Sequence, residues 1–130
     1  GNLDRIQIVK GWTDADNKEH EQIYNVAWSD MKARKLGKDG KVPAVGNTVD
    51  VATATWKDTI GAAELTGQWS DPDFNPSQRA YYYVRAIEIP TPRWTAYDAL
   101  RFGIKMPPEV PMTHQERAWS SPIWYTPGKM

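Results

Sequence analysis

Arg79-Ala80-Tyr81-Tyr82-Tyr83-Val84-Arg85-Ala86-Ile87-Glu88-Ile89 is the stretch on which the fold turns. Aromatic and β-branched residues occupy both of its alternating sides, which suits a strand at a central position in a sheet. Pro90-Thr91-Pro92 ends it, because proline brings no ladder donor. Upstream, Asp71-Pro72-Asp73-Phe74-Asn75-Pro76 reads as a rigid turn. Asp71 and Asp73 are therefore turn formers rather than a pair of acid–base carboxylates.

Working outward from that strand, the N-terminal part reads as a hairpin. Ile6 and Ile8 alternate with Arg5 and Gln7, giving a strand with one wet face. Tyr24, Val26 and Trp28 share one side of a second strand, and Asp14, Asp16 and Asn17 supply turn chemistry between the two. Residues 29–46 read as a solvated or mobile loop with Lys32, Arg34, Lys35, Lys38 and Lys41 as its basic cluster. Val49, Val51, Thr53 and Thr55 alternate within 47–56, which predicts another strand, and 64–69 predicts a weaker one with a bulge at Gly67.

Toward the C-terminus, Thr95 and Asp98 frame a capping box, and Gly103 supplies a stop, so residues 96–102 are predicted as a short helix. A proline-rich connector from Met106 to Pro111 leads to Thr113-His114-Gln115-Glu116, read as a second capped turn. Ser121-Pro122-Ile123-Trp124-Tyr125 is a last strand, placed at a sheet edge or bulge by Pro122. The pattern shows no βαβ rhythm. It predicts a mostly β protein, an antiparallel β-sandwich of immunoglobulin-like or jelly-roll-like type. Six to seven short strands, one short helix and long loops would make a single domain over residues 1–130.

Composition narrows the function. Sixteen basic and sixteen acidic residues cancel, which argues against nucleic acid as a partner, since phosphate binding needs a positive field. The same balance, with no run of about 18 apolar residues, argues against a membrane partner. With no cysteine in the chain, disulfides, thiolate nucleophiles and cysteine-held metals are excluded. Seven tryptophans, six tyrosines and ten prolines stand out. Each buried aromatic removes about 150–250 Å² from water, so packing is the first use of these rings. An aromatic platform for a sugar is the second.

Reactive motifs are lacking. Asp14-x-Asp16-Asn17 opens like a calcium loop, but the position that an EF-hand gives to glycine is Glu19 and the flanks are strands. His20 and His114 stand far apart, outside any metal-ligand spacing. Neither a Gly-x-Ser-x-Gly elbow nor a phosphate-cradling glycine loop occurs. Lys105-Met106-Pro107-Pro108-Glu109-Val110-Pro111 fits the pattern bound by SH3 domains, yet it lies between two elements and reads as an ordered extended connector.

Five stretches carry a resemblance. They are Gly1 to Trp12, Val45-Gly46-Asn47-Thr48-Val49-Asp50, Trp69-Ser70-Asp71-Pro72-Asp73-Phe74, Tyr82 to Trp94 with its Ile89-Pro90-Thr91-Pro92-Arg93-Trp94 run, and Gln115 to Tyr125. Together they resemble the C-terminal region of a large bacterial family of unknown function. The N-terminal part of its full-length members is similar to the PHP (polymerase and histidinol phosphatase) metal-dependent phosphoesterases, and many members carry export signals. The resemblance implies that this chain is the C-terminal fragment of a longer protein, an opening consistent with Gly1-Asn2-Leu3-Asp4 and no initiator methionine. A leading glycine of this kind also resembles the scar of a cleaved tag.

It implies a β-sandwich appended to a metal domain whose catalytic His and Asp ligands have no counterpart here. No catalytic residue, metal ligand or cofactor is then expected in this fragment, while the full-length protein would use a divalent metal. The implied location is periplasmic or extracellular, and the implied partner is the N-terminal domain of the same chain. Arg93, Trp94, Tyr97, Phe102, Arg117 and Trp119 are the candidate interdomain or ligand contacts, because aromatic and arginine side chains in irregular segments favour interfaces. The alternative function is a carbohydrate-binding module using exposed tryptophans.

Overall fold

In the computed structural model, which describes residues 1–128, the chain opens with the expected hairpin. Strands β1 (Leu3–Thr13) and β2 (Glu19–Trp28) pair antiparallel, with Ile8 opposite Tyr24 and Trp12 opposite His20. Their turn uses the predicted residues. One oxygen of Asp14 accepts from the Asp16 and Lys18 amides at 2.9 Å each, and Asn17 takes a left-handed φ of 59°, which asparagine tolerates.

Strand β3 (Ala80–Pro92) is central, as its composition predicts, and runs on through Pro90 to Pro92. It pairs with β1 on one side, and on the other with β4 (Thr113–Trp119) and the short β5 (Ile123–Tyr125). The order is β2-β1-β3-β4, with β5 beside the first residues of β3, and every pairing is antiparallel. The mostly β class with one short helix, α1 (Trp94–Phe102), is what the chain adopts. The strands lie in one sheet, however, rather than in the two layers of a sandwich.

Irregular backbone takes the place of the second layer. Residues 47–56 are a turn, not a strand: Asp50 and Thr55 exchange both backbone hydrogen bonds, and the Asp50 carboxylate caps the Ala52 amide at 2.9 Å. Ala54 has a φ of 49°, which a strand cannot contain. The local pull of an aspartate side chain on its own backbone outcompetes the Val/Thr alternation. Residues 64–69 cross β2 without pairing, since Gly67 rests on the side chains of Val26 and Ala27. Thr113 to Glu116, expected as a capped turn, belongs to β4. The connector turns where the Val110 amide bonds the Pro107 carbonyl at 3.0 Å, and Thr113 then lies opposite Pro92.

The helix stops as predicted at Gly103, whose φ of 61° is left-handed. Its start differs. Arg93 occupies the N-cap without a side-chain cap, and the Thr95 hydroxyl instead donates to the Pro111 carbonyl at 2.6 Å. Thr95 ties the proline connector to the helix rather than closing a capping box.

Ile6, Ile8, Val84, Ala86 and Ile123 share one face by register. They do not make a sealed core, because Val84 is 40% and Ile123 71% exposed. The other end of this face is covered by 69–76. Trp69 packs on Tyr24 and Tyr82 at centroid distances of 4.8 and 6.2 Å. Below them the ammonium of buried Lys10 meets Asp71 at 2.6 Å and donates to the Asp73 carbonyl at 2.9 Å. On the reverse face the wet-side assignment fails for Gln7, which is buried and bonded to Arg85 and Asn25.

A second polar knot closes the end of the sheet where β1 begins. Asp4, with no exposed surface, accepts from Arg34, Arg5 and Gln115. Arg34 also donates to Ser29 and to the Pro43 carbonyl, and Trp28 donates to the Arg34 carbonyl. Segment 29–46, expected as a solvated basic loop, is therefore fastened through a buried arginine, while Lys32, Lys35, Lys38 and Lys41 remain exposed.

Candidate functional site

The six candidate contact residues fall into two groups. Trp94, Tyr97 and Phe102 project from α1 and are 59%, 45% and 64% exposed. The Arg93 guanidinium lies over the Trp94 ring, 5.5 Å from its centroid, and Arg101 sits similarly over Phe102. Leu100 and Ile104 are also exposed, and the helix buries only Thr95 and Ala96. Among helices that cover a sheet this polarity is reversed, since the apolar side normally faces inward.

Arg117 and Trp119 are on β4, two residues apart and thus on one face, opposite Ile87 and Arg85. Both are exposed. The helix follows the end of β3 where β4 starts, so Trp119 lies about 20 Å farther along β4 from Thr113 at about 3.3 Å per residue. The fold does not merge the two groups into one site.

Chemical groups with perturbed acidity cluster elsewhere. Burial opposes ionisation of Asp71, yet hydrogen bonds from Lys10, Tyr82 and the Asp73 amide outweigh it and hold the carboxyl below its ordinary value. The Tyr82 hydroxyl donates to Asp71 at 2.7 Å; burial and that carboxylate push its pKa up. Tyr24 is raised for the same reasons, burial first and then the charges of Asp71 and Asp73. Asp14 is lowered by its 2.7 Å contact with His20 and by the Lys18 and Asp16 amides, against a small opposing effect of burial. These groups are satisfied by one another. Among the described residues no buried side-chain nitrogen or oxygen lacks a partner.

His20 pairs with Asp14 and His114 with Glu116, and among the described residues no three histidine or acidic side chains converge as a metal would require. An apolar groove of about 560 Å³ lies beside the Lys10–Asp71 pair, lined by Ile8, Trp69, Phe74, Val84 and Ile123 among others. Reading the sequence missed both polar knots, because their partners are far apart in the chain: Lys10 from Asp71, and Asp4 from Arg34 and Gln115. A lysine within an otherwise apolar alternation was the only local signal.

What the fold and its surfaces define is an antiparallel β chain that displays aromatic and arginine side chains. The chain belongs to the family described as Protein of unknown function (DUF3604), whose model matches residues 1–127. No curated protein and no solved structure matches it.

Proposed function

We propose that this chain is a non-catalytic accessory domain that packs, through α1, against the catalytic domain of a PHP-like metal-dependent hydrolase within one longer exported protein. The carrying observation is the inverted helix. Trp94, Tyr97, Leu100 and Phe102 leave on the order of 400 Å² of apolar surface in water, within the size of the largest apolar patches on monomers, which are often functional. Arg93 and Arg101, held over aromatic rings, add cations able to meet acidic groups on the partner. Substrate chemistry then resides in the other domain, and this domain supports it.

The test uses the full-length protein with Trp94→Ser and Phe102→Ser. Docking predicts easier proteolytic cleavage between the domains and separation of one thermal transition into two, with hydrolysis of phosphoester or ester panels requiring added divalent metal. Unchanged protease resistance and melting in the double variant would refute docking. Turnover by residues 1–128 alone would refute the accessory role.

A further inference from the structure

The face of the sheet opposite the Lys10–Asp71 knot has a composition that the docking reading does not use. Antiparallel partners share a face, so Tyr81 and Tyr83 of β3 lie with Gly11 and Val9 of β1, while Trp124 stands opposite Tyr81 and Trp119 opposite Arg85. The period of two brings Arg79, Tyr81, Tyr83 and Arg85 to the same side of the chain.

Gly11 makes this arrangement possible. A Cβ there would collide with the Tyr81 ring, so the tyrosine lies down across the β1 backbone. Tyr83 is parallel to it within 6°, at a centroid separation of 6.4 Å, and Trp124 packs on Tyr81 at 5.3 Å. The paved strip is bordered by Trp119 and Trp124, which are 60% and 72% exposed. Trp124 and Trp119 lie opposite positions four residues apart on β3, a separation of about 13 Å at the strand rise, enough for a short oligosaccharide.

The polar groups of the strip are directional. Gln7 is bonded to Asn25 at 2.8 Å and accepts two bonds from Arg85, at 2.6 and 3.0 Å, which fixes the guanidinium without neutralising it. Among the described residues Arg79 and Arg117 have no ion pair. The carboxylates of β2 on this face are Glu19 and Glu21, and Glu19 lines one pocket with Arg79, Tyr81 and Trp124. Arginines without a carboxylate partner thus stand at the start of β3 and on β4, and Arg85 between them is held by a neutral glutamine.

We infer that this Arg79–Tyr81–Tyr83–Arg85 face, flanked by Trp119, Trp124 and Arg117, binds an acidic oligosaccharide. Flat rings stack on the apolar faces of the sugar units, and the guanidinium groups take their carboxylate or sulfate substituents as planar donors. A nucleic acid would offer bases for stacking, and tighter binding of one is an outcome that the test below reads. The site lies toward the opposite end of β3 from α1 and does not depend on the docking reading.

Titration of the chain with oligogalacturonate, a sulfated chondroitin oligosaccharide, cellohexaose and oligouridylate, followed by tryptophan fluorescence and calorimetry, tests the assignment. Saturable binding of one or both acidic sugars is expected, and which of them binds distinguishes carboxylate from sulfate recognition. Trp124→Ala and Trp119→Ala should each weaken it at least 10-fold. Arg117→Gln should reduce the preference over cellohexaose; all three side chains are exposed, and unchanged circular dichroism verifies the fold. No saturable binding of either acidic sugar, equal binding of cellohexaose, tighter binding of oligouridylate, or indifference to both tryptophan variants would each overturn the proposal.

Discussion

Asp4→Asn should be among the most damaging single-atom-scale changes in this protein. Asp4 is wholly buried and accepts from three side chains, of which Arg34 is itself buried and Arg5 is 17% exposed. The amide keeps the volume and removes the charge. Arg34 is then left as a buried cation without a counter-ion, and the new NH₂ group confronts donors on Arg5 or Gln115. Loss of one member of a buried pair costs about 3–5 kcal/mol. For a chain of this size each kcal/mol shifts the midpoint by roughly 3–5 °C, so a fall of about 10–25 °C is expected. Urea unfolding followed by tryptophan fluorescence and circular dichroism measures it, with an unchanged slope showing that stability alone moved. Asp39→Asn is the control, because the Lys41–Asp39 pair is 3.8 Å apart and open to water, where such a pair contributes at most about 1 kcal/mol. Asp4→Leu with Arg34→Met should regain much of the loss, since Gln115 keeps its bond to the Glu88 carbonyl and Arg5 can reach solvent. If Asp4→Asn costs no more than the control, Asp4 is not the fastening of segment 29–46 to the sheet.

Three further outcomes follow from the geometry. Asp71 has a lowered pKa in the folded state, so its contribution is present above its unfolded value near 4 and is lost as pH falls through the lower folded value. Acid unfolding should therefore lose this step in Lys10→Met, measured as fluorescence against pH. Tyr24 and Tyr82 have raised pKa values; their contribution is complete below the unfolded value near 10 and is lost as pH rises toward the folded values. An ultraviolet titration of the six tyrosines should show two ionising late, and these two should become normal on unfolding in urea. Gly11→Ala should cost about 1–3 kcal/mol, because its methyl group must displace the Tyr81 ring; a stability equal to that of the parent chain would show that Tyr81 does not lie across this backbone.

The sequence by itself determined the elements whose signals are local. The Asp14–Asn17 turn, the β-rich composition of 80–89 and the Gly103 stop each act within a few residues, and each is found where it was read. The exposure of Trp94, Tyr97 and Phe102 was not local information. An aromatic residue suits a core and an interface equally, and only the placement of α1, with Thr95 and Ala96 turned inward, sent those rings outward. The tertiary structure likewise decided that the sheet would remain single, its other layer supplied by irregular backbone. It also joined Lys10 to Asp71 and Asp4 to Arg34. A buried charge is stabilised by whichever partner the folded chain delivers, and contacts across dozens of residues leave no periodicity in the sequence to read.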